Sequence, residues 1–146
     1  MMYLSGMKEL NINTEEFLKQ HLIIDQNEKA ALNWLLMEGN SLPSQDRPGC
    51  YAFLSEEGNI LYIGVGAGRG PSDLYKDCGL GSRVFSYLKT RANLPNIEFK
   101  SKRYKDCKKI ATIGLHPDFW YLAYALEQYL ISKIKPKLNS IASGRK

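Results

Sequence analysis

Two tyrosines, an arginine and a glutamate carry most of the chemistry that this sequence offers. Tyr51 and Tyr62 each stand beside a glycine, in Gly49-Cys50-Tyr51 and Tyr62-Ile63-Gly64, with ten residues between them. Two neighbouring hydroxyls can position a water or a phosphate oxygen; two aromatic rings that simply pack on a sheet would read the same way. Arg83 lies on the flank of a Leu80/Val84/Leu88 stripe, with Tyr87 one helical turn further on. A guanidinium grips phosphate bidentately and offsets charge that builds up in phosphoryl transfer, although an ordinary surface arginine has the same signature. Glu127 has Ala123, Tyr124, Leu130 and Ile131 at three and four positions. A carboxylate on so apolar a surface calls for a cation, either a metal or a basic side chain.

These residues need elements to hold them. Cys50–Leu54 and Ile60–Gly64 are short apolar runs around a turn with Gly58, which predicts a hairpin that brings the tyrosines together. Leu80, Val84, Leu88 and Ala92 recur at helical spacing and predict a helix of about three turns. Pro117 and Asp118 start the longest predicted helix, with Leu122, Ala123, Leu126, Leu130 and Ile134 on its apolar side and Pro136 at its end. Ile97–Tyr104 and Ile110–Leu115 are strand candidates separated by a basic turn. Upstream, Asn13 with Glu16, and Asp25 with Glu28, predict two helix starts. The second helix runs through Ala30, Ala31, Leu32, Trp34, Leu35 and Leu36 to a stop at Gly39, and residues 40–48 read as a linker. The order predicts an α/β (α+β) domain on a mostly antiparallel sheet, residues 46–146, behind a helical N-terminal extension, residues 1–45.

The charge is one-sided. The net charge is +5, but residues 93–146 hold 11 Lys/Arg against 4 Asp/Glu, whereas residues 1–92 are slightly acidic. A positive field of this kind suits a phosphate backbone, or a solvated surface. Six basic residues between Lys100 and Lys109 surround Tyr104, in keeping with a backbone-contacting segment or a lysine-protected edge. Three cysteines without a CxxC pair argue against a disulfide scaffold and a zinc knuckle. They fit a reducing cytoplasm. No apolar run approaches a membrane span and no signal peptide is recognisable, so no membrane partner is expected. His21 and His116 are too isolated for a histidine metal site. The glycine-rich run from Gly64 to Gly70 could cradle a nucleotide phosphate, but it lacks the Lys-Ser/Thr ending of a P-loop.

Taken in order, these segments carry a resemblance. Gly49–Asn139 resembles the GIY-YIG nuclease domain. Its two signatures correspond to Gly49-Cys50-Tyr51 and Tyr62-Ile63-Gly64, its helix arginine to Arg83 in Leu80-Gly81-Ser82-Arg83, and its His-or-Tyr position to Tyr87. Its metal-binding glutamate corresponds to Glu127 in Ala125-Leu126-Glu127, and its late asparagine to Asn139 in Lys135-Pro136-Lys137-Leu138-Asn139. Cys50 replaces the usual Ile or Val, the segment Val65–Gly79 is longer than usual, and residues 1–45 lie outside the core pattern.

The resemblance implies a central three-stranded antiparallel sheet flanked by helices, with the site on one face. It implies a DNA endonuclease that hydrolyses phosphodiesters, with one divalent metal, Mg²⁺ or else Mn²⁺, on Glu127. Tyr51 or Tyr62 would deprotonate or orient the attacking water, with Tyr62, placed near its strand end, expected to matter more. Arg83 would neutralise the phosphate and Asn139 would hold a site loop or phosphate. Arg69, Lys76, Lys100, Lys102, Arg103 and Lys105 are the candidate DNA contacts. A DNA-binding module that does not cut, or a nucleotide-binding protein, are the other readings.

Overall fold

The two runs that flank Gly58 pair as expected. In the computed structural model, which describes residues 2–21, 33–67, 79–89 and 97–142, β2 (Gly49–Leu54) pairs antiparallel with β3 (Ile60–Gly66). Gly58 takes φ 91° in the turn between them, a conformation that costs a glycine nothing. Apolar side chains on both faces make β2 buried along its whole length. It therefore sits inside the sheet, with β4 (Lys109–Gly114) antiparallel on its other side. A short strand β1 (Leu35–Leu36) pairs with Thr112 and Ala111 of β4, so the four strands run in the order β1-β4-β2-β3.

Helices cover both faces. Cys50, Ala52, Leu54, Ile63, Ala111 and Ile113 point to one core, which α1 (Met2–His21) closes with Leu10, Phe17 and Leu18. A later helix, α3 (Trp120–Ile134), closes it with Ala123, Leu126 and Leu130. Tyr51, Phe53, Tyr62 and Ile110 point the other way, against Leu80 and Val84 of α2 (Leu80–Phe85) and Leu138 of α4 (Lys137–Ala142). This alternation follows from the period of two along a strand. α3 follows a 3₁₀ turn at Pro117–Phe119 and ends at Lys135, in the left-handed region before Pro136.

Several sequence expectations are corrected. The first helix begins at Met2, and Asn13 lies inside it, donating to the Glu9 carbonyl (2.8 Å) rather than capping a helix start. The second predicted helix does not reach Leu36. Trp34 is pinned to α1 through Asn11 and Thr14 (both 3.0 Å), and Leu35–Leu36 then pair with β4. Gly39 turns between Glu38 and Ser41 with φ 60°. The part of that helix read on residues 25–32 lies outside the described residues.

The helix at Leu80 stops at Phe85, well short of three turns. Tyr87 and Lys89 instead exchange backbone hydrogen bonds with Lys100 and Glu98 (both 2.9 Å). Ile97–Tyr104 is accordingly no strand. It makes one bridge, Leu88 to Phe99, and then a 3₁₀ turn at Lys102–Tyr104, capped by the Ser101 hydroxyl. Ala92 lies outside the described residues. The sheet has one strand more than the three that the resemblance implied, because β1 extends the β4 edge. Residues 40–48 dock onto the start of α2: the Gln45 and Arg47 carbonyls accept from Gly81 and Leu80 (2.8 and 3.0 Å).

Candidate active site

Gly64 and Gly66 set the site. Gly64 faces Tyr51 across the hairpin, and a Cβ there would collide with the Tyr51 ring and hydroxyl. The glycine lets Tyr51 lie flat across β3 towards its free edge. At Gly66 a Cβ would come within 3.2 Å of Leu80 and of Arg83 Cβ, so the glycine admits α2 close to the strand. Arg83 is thereby carried to the edge of the hairpin.

The tyrosines form one cluster. The Tyr51 and Tyr62 rings lie 6.3 Å apart on the same face, and the Tyr51 and Tyr87 hydroxyls share a hydrogen bond of 2.7 Å. Tyr87 is 5.7 Å from Tyr51 and 6.3 Å from Tyr62, ring to ring. Tyr51 is 1 % exposed and Tyr62 8 %, while Tyr87 is half-buried, so Tyr87 is the most exposed residue of the three. Burial, and then Tyr87 beside them, push the Tyr51 and Tyr62 hydroxyls well above the ordinary tyrosine value. Both stay protonated at neutral pH and are hydrogen-bonding groups, which weighs against either as a base. Tyr62 sits opposite Phe53 in mid-strand, not at a strand end; Tyr51, opposite Gly64, is the tyrosine nearer the open end.

Arg83 reaches over the Tyr87 ring at 5.6 Å, and Tyr51 beside it raises its already high pKa. It lines a cleft of about 390 Å³ with Val65, Gly66, Ala67, Ser82, Ser86 and Tyr124. Tyr124 comes from α3, on the other face of the sheet. The cleft therefore opens around the end of β3 and is lined from both sides.

Glu127 lies on α3 one turn after Tyr124 and is half-buried. Its carboxylate takes a hydrogen bond from Gln128 (3.0 Å), and it adds to the burial that pushes the Cys50 thiol up. Cys50 points to the face opposite Tyr51 and donates to the Ala123 carbonyl (3.3 Å). The site that the resemblance placed on one face is thus split: Tyr51, Tyr62, Tyr87 and Arg83 lie on one side of the hairpin, Glu127 on the other. Among the described residues, no three His, Cys, Asp or Glu side chains gather to hold a metal.

Asn139 is fixed by geometry. Its side-chain amide accepts from the Ile63 N–H (2.8 Å) and donates to the Ile63 carbonyl (2.9 Å). It satisfies both backbone groups of Ile63 on the outer side of edge strand β3, next to Tyr62. Of the candidate DNA contacts, Lys100, Lys102, Arg103 and Lys105 are exposed, whereas Arg69 and Lys76 lie outside the described residues. Arg103 behaves differently. It stands over the Tyr62 and Tyr104 rings at 5.6 and 5.3 Å and donates to the Leu138 carbonyl (2.8 Å). Sequence reasoning placed it on a DNA-facing segment and missed this contact. Tyr104 and Phe99 belong to the same aromatic cluster, through Tyr62 and Phe53; the basic composition of their segment hid them.

No family model matches the chain. It is similar to the UvrABC system protein C of Methanospirillum hungatei JF-1, 33% identical over 94 residues, which make up 64% of this chain and 15% of that protein. The chain therefore spans a small part of the relative's length. No helix among the described residues is long and apolar enough to cross a membrane.

Proposed function

We propose that this chain is a metal-dependent DNA endonuclease of GIY-YIG type that hydrolyses phosphodiester bonds. The observation that carries the reading is the cluster of Tyr51, Tyr62 and Tyr87 beside Arg83, which itself lines the cleft at the end of β3. The similarity to UvrABC system protein C supports it and favours a repair-type nuclease.

Arg83 binds the scissile phosphate and offsets the charge that develops on it. The protonated hydroxyls orient the phosphate or the attacking water through hydrogen bonds, Tyr87 directly and Tyr51 through Tyr87. Asn139 holds β3, and with it Tyr62, in register. Glu127 would supply a carboxylate oxygen to a hard cation such as Mg²⁺ or Mn²⁺. A divalent cation bound there supplies neutralising charge to the phosphate and the departing oxygen. Lys100, Lys102 and Lys105 contact the DNA backbone.

Purified protein incubated with supercoiled plasmid tests the reading. Nicked or linear product that appears with Mg²⁺ or Mn²⁺ and disappears with chelator supports it. Binding without cleavage under every divalent metal would replace it with a DNA-binding module that does not cut.

A further inference from the structure

The basic segment that follows Phe99 has its charges in two arrangements. Lys100, Lys102 and Lys105 are exposed and suited to a phosphate backbone. Arg103 is exposed as well, but its guanidinium is turned back onto two aromatic rings. Its guanidinium lies over both Tyr62 (5.6 Å) and Tyr104 (5.3 Å), and those two rings pack edge to face at 5.5 Å. The same guanidinium donates to the Leu138 carbonyl (2.8 Å). Leu138 precedes Asn139, which grips both backbone groups of Ile63, the residue after Tyr62. A ring of contacts thus closes from Tyr62 through Arg103, Leu138, Asn139 and Ile63 back to Tyr62.

We infer that Arg103 is a positioning residue of the active site, the counterpart on Tyr62 of what Arg83 is on Tyr87. It fixes the Tyr62 ring and the Asn139 segment in one arrangement, and this role rests on the nuclease reading above. The chemistry of the side chain supports it. A guanidinium is planar, stacks on aromatic rings and donates along fixed directions, whereas an ammonium is a flexible point charge. A lysine can serve a phosphate contact as a point charge; Arg103 uses its plane against the rings and a directed N–H towards Leu138. Its charge also acts against the burial that raises the Tyr62 hydroxyl.

Arginine-to-lysine exchange separates the two roles. In steady-state cleavage of a DNA substrate, Arg103→Lys should lower kcat by about a hundredfold, the scale of a misplaced reacting group, with KM nearly unchanged. Lys102→Ala should do the reverse, raising KM with little effect on kcat. Wild-type kcat in Arg103→Lys, an effect confined to KM, or loss of the fold in Arg103→Lys would each overturn the inference. A measurement without DNA stands beside it: ring currents of Tyr62 and Tyr104 should shift the Arg103 side-chain NMR signals upfield, and unshifted signals would also overturn it. A wild-type protein that cuts no DNA defeats the nuclease reading and this role together; a wild-type protein that cuts while Arg103→Lys matches it defeats this role alone.

Discussion

The Tyr51 and Tyr87 hydroxyls lie 2.7 Å apart, one on a buried strand and the other on the turn that ends α2. Tyr51 is sealed from solvent, and in the proposed mechanism it acts through its neighbour. Tyr51→Phe and Tyr87→Phe should therefore be strongly non-additive, because either change breaks the same hydrogen bond. Residues that share one hydrogen-bond network typically couple by about 0.5–3 kcal/mol. Cleavage rates of the two single variants and the double variant check this, and additive losses would disconnect the pair. Because Tyr51 and not Tyr62 lies nearer the open end of the hairpin, Tyr51→Phe should cost more rate than Tyr62→Phe.

Gly64→Ala is expected to destabilise the fold. The added methyl meets the Tyr51 ring, which is held by Phe53 and Tyr87 and cannot move away. Overpacking of this kind costs about 1–3 kcal/mol. The midpoint of urea unfolding should fall accordingly, and cleavage should fall with it even where the variant is fully folded. An unaltered midpoint would mean that Tyr51 does not lie across β3.

Asn139→Ala leaves the N–H and C=O of Ile63 without their partners. Unsatisfied buried groups cost about 1–3 kcal/mol each, less where water reaches them. Asn139→Asp keeps the acceptor for the Ile63 N–H and sets a carboxylate against the Ile63 carbonyl. It should fall between wild type and Asn139→Ala in stability. Hydrogen exchange of the Ile63 amide reads the same contact directly: it should quicken in Asn139→Ala and stay protected in Asn139→Asp.

The alkaline side of the stability curve has a defined sign. Burial raises Tyr51, Tyr62 and Tyr104, and pushes Cys107 up to about 12 from an ordinary 9.0. The folded chain keeps protons that the unfolded chain releases above the ordinary values. This stability is complete below pH ~9 and is lost as the pH climbs through the thiol and tyrosine range, near ~10 for tyrosine. Unfolding midpoints should be flat on this account between neutral pH and ~9 and then decline, and Cys107→Ala should soften the onset. A midpoint that rises with pH above ~10 would contradict the burial of these groups.

The hairpin and the long helix were legible because their signals are local. Gly58 marks the turn, the apolar runs on either side of it fix the strands, and Ala123, Leu126 and Leu130 recur at helical spacing. β1 was not legible: Trp34–Leu36 continues an apolar run, and only docking on α1 and pairing with Ala111 and Thr112 make two of its residues a strand. Leu88 and Ile97 misled for a related reason. Both are buried apolar residues in irregular chain held by the Leu88–Phe99 bridge. Within the site, Tyr51, Tyr62, Arg83 and Tyr87 could be named together from sequence, but no spacing reveals which face of a sheet a distant helix covers. That is why the placement of Glu127 across the hairpin, and the stacking of Arg103 on Tyr62, emerge only from the fold.

The central claim is that the Glu127 carboxylate, on the helix that covers the far face of the sheet, completes a nuclease site with Arg83 and the tyrosines. Cleavage of supercoiled DNA by Glu127→Ala, with DNA affinity measured in parallel, tests it most directly. The account predicts that Mg²⁺-dependent cleavage is lost while affinity stays within a few-fold of wild type, since the basic segment Lys100–Lys105 is untouched. Cleavage at the wild-type rate by Glu127→Ala, with the same dependence on Mg²⁺, would contradict it.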